Sequence, residues 1–202
     1  MGCKSGNLFG VFFFHCPSLF VAKTKPVQKR LPGYNGEVDF RLRDFKREDF
    51  KALWEIDQQC FAPGIAYSQR ELSSYIQRRG AFTIIAEPAD TGINGRSSVA
   101  GFIVAEASRK VGHIISIDVL PANRRFGLGS QLLAAAENRL RSLDCRTTVL
   151  ETAVDNLPAL AFYKRHQYTV LRIYPRYYSN GVDAFVLGKR LDSSQLSPAQ
   201  VE

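Results

Sequence analysis

The chain has 202 residues, 45% of them apolar, which suits one folded domain with an extension and supports a real core. Its net charge of +8 is uneven: residues 1–36 hold five Lys/Arg and no acid, so the remainder carries only +3. No helix in that remainder reads as a basic stripe with interleaved aromatics, which argues against direct nucleic-acid binding.

The first 37 residues read as a poorly ordered basic and apolar extension ending in a linker. The apolar run Leu8 to Phe14 is too short to span a bilayer. Phe20 stands where a signal peptidase needs a small residue before Ala22, and Gly6 stands where myristoylation needs Ser or Thr. Cys3, Cys16, Cys60 and Cys145 have no Cys-x-x-Cys spacing, and His15, His113 and His166 are scattered. Neither a metal site nor a disulfide framework is therefore expected. Reduced thiols in a cytoplasmic protein are expected, with Cys60 and Cys145 in the core.

The folded domain is expected over residues 38–192, followed by a polar tail over 193–202. Val38 to Arg43 alternates as a first strand, and Phe50, Leu53, Trp54 and Ile56 recur at helical spacing up to about Phe61. Ser68 to Glu71 forms a capping box ahead of a second helix with Leu72, Tyr75 and Ile76. Strands follow at 82–87, 100–107 and 112–120, with Asn94-Gly95 as a hairpin signal between the first two. A helix to about Leu143, a strand at 147–154, a helix capped by Asn156, and strands at 168–174 and 183–191 complete the order. His113, Ile115, Ile117 and Val119 are expected on one face of their strand, with Ile114, Ser116, Asp118 and Leu120 on the other. The pattern predicts a mixed α/β sheet.

Between that strand and its helix stands Arg124-Arg125-Phe126-Gly127-Leu128-Gly129-Ser130. Two glycines where a strand turns into a helix leave the first-turn N–H groups open, with the helix dipole behind them and two arginines alongside. That is a phosphate cradle. The nucleotide-triphosphate loop is excluded because no lysine follows Gly129, and a dinucleotide fold is disfavoured because Leu132 occupies the third small position. A plain tight turn is the alternative. Glu151 interrupts the apolar strand 149–154 and reads either as a solvated surface acid or as a general base. His113 and His166 read as structural or surface residues.

Arg124-x-x-Gly127-x-Gly129 after a Val-x-Pro strand end, with Asn156-x-x-Ala159-x-x-x-Tyr163 further on, resembles the Gcn5-related N-acetyltransferase superfamily over about residues 38–191. One departure is Gln167 before Tyr168, where the family commonly has glycine. The resemblance implies a mixed, mostly antiparallel sheet flanked by helices, with a strand pair splayed at the cofactor site. It implies acetyl-CoA as co-substrate and no metal. Arg125 to Ser130 would hold its pyrophosphate, with further cofactor contacts from Ile117, Asp118, Val119, Arg124 and Asn156. Backbone N–H groups at the end of the Ile117–Val119 strand would stabilise an oxyanion.

The separation of Glu151 and Tyr163 is similar to that in the ribosomal-protein alanine N-acetyltransferase branch, which implies Glu151 as base and Tyr163 as acid toward the sulfur. Tyr163 is otherwise a core aromatic. The likeness gives Tyr174, Tyr177 and Tyr178 an acceptor-binding role on a hairpin; an ordinary edge hairpin is the alternative. The leading reading is acetylation of a protein or peptide N-terminal α-amine, with a ribosomal protein among the candidate acceptors. A small-molecule amine acetyltransferase and a non-catalytic acyl-CoA-binding module are the alternatives.

Overall fold

The computed structural model describes residues 39–60, 66–89, 99–178 and 181–191. The expected extension, the Asn94-Gly95 hairpin signal and the polar tail lie outside them. The elements are β1 (Phe40–Asp44), α1 (Phe50–Cys60), α2 (Gln69–Ile76), β2 (Ala81–Pro88), β3 (Gly101–Ser108), β4 (Val111–Val119), α3 (Leu128–Ser142), β5 (Thr147–Ala153), α4 (Leu157–Arg165), β6 (Thr169–Tyr174) and β7 (Ala184–Arg190). Short 3-10 turns precede α1 and α3. The order is the one the hydrophobic periods predict. The capping box forms as expected, with Glu71 N–H donating to Ser68 Oγ and Ser68 N–H donating to Glu71.

The strands form one seven-stranded sheet in the order β1-β2-β3-β4-β5-β7-β6. Every neighbouring pair is antiparallel except β4–β5. One face packs on α3 and α4 through Leu128, Leu132, Leu133, Ala136, Leu140 and Tyr163, against Ile103, Ile117 and Leu150. The other face packs on α1 and α2 through Leu53, Ile56, Leu72 and Tyr75, against Ile85, Phe102 and Val104. Helices on both faces leave the central strands largely buried on both sides, as in the apolar stretches Ile84–Ala86 and Phe102–Ala105.

Two buried ionic groups tie the edges to this core. Glu137 on α3 accepts from Lys189 Nζ at 2.7 and 2.9 Å and from Tyr168 Oη at 3.1 Å. Arg43 bridges Asp49 and Glu87, and its guanidinium holds the Asp49 carboxyl below the usual range.

Two features shape the site. Parallel β4 and β5 pair only where Val111, Gly112 and His113 meet Thr147, Thr148 and Val149, and then diverge. The expected splay is therefore present. The second feature corrects the expected alternation on β4. Ser116 pairs with Val104 and Ile114 with Ala105, so Ile115 is an extra, bulged residue. A bulge shifts the faces by one residue. Ile114 joins Ile117 and Val119 toward α3, whereas Ile115 packs toward α1.

Candidate active site

The glycine turn forms as the local sequence requires. Gly127 takes φ +80 at the N-cap of α3, a left-handed conformation that disfavours L side chains, and offers no side chain to cap the helix's first N–H groups. Those groups and the helix dipole are left for an anion. A Cβ placed on Gly127 would meet nothing within 4 Å, so the space above the loop is open. At Gly129 it would stand 3.5 Å from the Phe162 ring, so this glycine opens the gap between α3 and α4.

A cleft of about 600 Å³ lies there. It brings together Ile117, Val119, Arg124, Arg125, Gly127, Leu128, Gly129 and Ser130 as the sequence grouped them. Four α4 residues complete it: Pro158, Ala161, Phe162 and Arg165. These were missed, yet their spacing of i, i+3, i+4 and i+7 marks one face of a helix. An apolar slot ending in a guanidinium-flanked helix N-terminus fits a long thiol ester that carries a pyrophosphate.

Other expected residues stand apart from this lining. Phe126 is about half exposed beside the loop. Asp118 turns its side chain away and is fully buried. Asn156 is buried and spent on capping α4, its Oδ1 accepting from Ala159 N–H at 3.2 Å. Tyr163 is buried in the main core, edge-on to Phe162 and Tyr168, at ring distances of 5.2 and 5.5 Å.

The fork in the sheet holds the polar centre. Leu150 packs toward α3, so its neighbour Glu151 points to the opposite face. There His113 Nε2 lies 2.7 Å from Glu151 Oε2. Nothing in the sequence pairs with His113, and the fold pairs it with Glu151. No local signal pairs residues 113 and 151; the pairing follows from β4 and β5 meeting at His113 and Val149. The contact bridges the strands where they part. The carboxylate is largely buried and the imidazole about one-third exposed. Among the described residues, no group donates to Glu151 Oε1.

The tyrosine hairpin closes the same side. Tyr174 and Tyr177 stack with rings 5.9 Å apart and 13° between planes. Tyr178 is buried against Ala153, two residues beyond Glu151, and Ala184. Gln167 keeps the turn after α4 by adopting φ +67, the conformation that a glycine there would favour.

A sheet that forks between two parallel strands over a glycine-capped helix defines a class, and comparison with known proteins agrees. Residues 50–168 match the model of the "Acetyltransferase (GNAT) family", and the chain belongs to that family. It is therefore an N-acetyltransferase using acetyl-CoA.

The chain is 31% identical over 150 residues to an uncharacterized N-acetyltransferase of Methanocaldococcus jannaschii, covering 74% of this chain and 90% of that protein. It is 34% identical over 83 residues to an N-alpha-acetyltransferase of Sulfurisphaera tokodaii, covering 41% of this chain and half of that protein. Its fold is similar to the ribosomal-protein-S18-alanine N-acetyltransferase of Escherichia coli, with a TM-score of 0.66, 21% identity, and 79% and 98% of the two chains covered. Among the described residues no group of His, Cys, Asp and Glu could hold a metal ion, and no helix is long and apolar enough to cross a membrane.

Proposed function

We propose that this protein transfers an acetyl group directly to the α-amine of a protein or peptide N-terminus. The observation that carries the reading is the His113–Glu151 pair at the apex of the fork. It stands on the face opposite the cleft's helices, beside the tyrosine hairpin. The segmental likeness to an N-alpha-acetyltransferase supports the choice of amine.

Acetyl-CoA, when bound, supplies the activated acyl carbon. Arg125 and the N–H groups of the 127–130 turn would hold its pyrophosphate, with Ile117, Val119 and Phe162 lining the arm and the N–H groups at the end of β4 facing the carbonyl. Glu151 takes the proton of the incoming amine on Oε1. His113 donates from Nε2 to Oε2, which fixes the carboxylate and stabilises its charge. Tyr163, next to Phe162 on α4, gives a proton to the departing sulfur. The stacked Tyr174 and Tyr177 grip an extended peptide start, and burial at the fork keeps water from the thioester.

An α-amine has a reference pKa near 7.7–8.0 and a lysine ε-amine near 10.4, so at neutral pH roughly a tenth of α-amines are already neutral, against about one in a few thousand ε-amines. A single carboxylate is matched to the easier proton. A ribosomal protein is among the acceptors to be tried. The test is mass spectrometry of peptides that carry both a free α-amine and an internal lysine. Acetylation at the α-amine is expected. Predominant ε-acetylation, or turnover only on polyamines, overturns the reading.

A further inference from the structure

Two arginines open the glycine loop, and they behave differently. Arg125 is exposed, at φ +73, on the rim of the cleft. Arg124 folds back under the loop. Its Nε donates to Val119 O at 2.9 Å, and its Nη2 is buried with no partner among the described residues.

Val119 ends β4, and its carbonyl also faces Cys60 Sγ of α1 at 3.5 Å. Arg124 is close enough to act on the ionisation of both Cys60 and Asp118. Arg124 from the loop and Cys60 from α1 therefore meet on the same carbonyl oxygen. Asp118 is fully buried there; its Oδ2 accepts from Ser116 Oγ at 2.7 Å, and its Oδ1 has no partner among the described residues.

A separate set of hydrogen bonds fixes α1 to the Tyr67 return. Asp57, fully buried, accepts the Tyr67 N–H at 2.8 Å, while Trp54 Nε1 and Gln58 Nε2 donate to Tyr67 O at 3.2 and 2.9 Å. Tyr67 is where the chain returns toward α2, on the face that carries the His113–Glu151 pair. Arg124 thus meets α1 on one shared carbonyl, Val119 O, and α1 in turn holds the Tyr67 return through Asp57.

We propose that Arg124 is a positioning residue that holds α1 and the return at Tyr67 against the cofactor loop, and that it does not ligate the pyrophosphate. Turning the guanidinium outward would strip Val119 O of a donor inside the protein. The guanidinium braces a strand-end carbonyl that α1 also reaches through Cys60. The acceptor half of this inference rests on the proposed N-terminal acetylation.

The test separates the two sites. CoA affinity is measured by calorimetry, and acceptor KM and kcat with an N-terminal peptide, for Arg124→Met and Arg124→Gln. Arg125→Met is the comparison expected to weaken CoA. In both Arg124 variants CoA affinity should stay within about twofold. Acceptor KM should rise about tenfold or more in Arg124→Met, as for a displaced binding wall. Arg124→Gln should recover part of that loss, because its amide keeps an N–H for Val119 O without the charge. A CoA affinity lowered about tenfold in both variants is the loss expected for a charge-assisted phosphate contact, and it overturns the proposal. An unchanged acceptor KM in Arg124→Met overturns the positioning role. If the wild type acetylates no N-terminal peptide, the proposed acceptor fails on its own. The calorimetry still decides whether Arg124 holds phosphate.

Discussion

Glu151 offers one oxygen to His113, and in the proposed function the other takes the acceptor's proton. Its removal should be felt in turnover rather than in cofactor binding. Glu151→Gln is expected to lower kcat by about 10²–10⁴ at neutral pH, the range for losing a general base, with CoA affinity unchanged by calorimetry. His113→Ala should lower kcat less, since it leaves the carboxylate in place but unsteadied. Tyr163→Phe should slow the reaction wherever thiolate departure limits it. Gln167 bears on stability instead. The left-handed conformation it adopts costs an L residue roughly 1–2 kcal/mol. Gln167→Gly should therefore stabilise the fold by about 1 kcal/mol net of glycine's entropy, raising Tm by a few degrees. A melting curve checks this, and a lower Tm would contradict it.

Among the elements, the loop between β4 and α3 works through backbone shape. Gly127→Val forces a β-branched residue to φ +80 and puts methyl groups into the space above the helix N-terminus. CoA affinity should fall, because removing one charge-assisted N–H···phosphate hydrogen bond costs about 1.5–3 kcal/mol. An unchanged affinity would remove the loop from the binding site. The packing of α1 on β4 is expected to respond to pH. Burial is the first cause lifting Asp57 to about 7 and Asp118 to about 8, both from 3.8. A carboxyl raised in the folded state favours the fold while protonated. That contribution is complete below about 4 and is lost as pH climbs toward 8. Wild-type Tm should decline across this window, and Asp118→Asn should flatten the decline. A decline of equal steepness in the variant would count against it.

Much of this was readable from the sequence, because helix and strand periods are local properties. The glycine turn, the capping box at Ser68 and the cap at Asn156 all stand where short-range chemistry sets them. What escaped depends on contacts between distant segments. The bulge at Ile115 follows from register with β3, and no residue type in 113–119 announces it. His113 meets Glu151 across 38 positions only because two parallel strands touch briefly before separating. Arg124 reads from its sequence neighbours only as part of the cofactor loop, and its bond to Val119 O depends on how the loop folds back.

Across the protein, the proposed function divides the labour over the sheet. The proposed cofactor cleft lies among α3, α4 and the fork; the proposed acceptor side lies among α1, the Tyr67 return and the tyrosine hairpin, and the His113–Glu151 pair is at the junction. Whether this junction takes a proton from an α-amine is decided by the pH dependence of kcat/KM on an N-terminal peptide. In Glu151→Gln the deficit should be largest near pH 6 and should shrink as pH passes the α-amine's value of about 8, where the acceptor loses its proton without help. A deficit that stays constant from pH 6 to pH 9, or no deficit at all, would show that Glu151 is not the base.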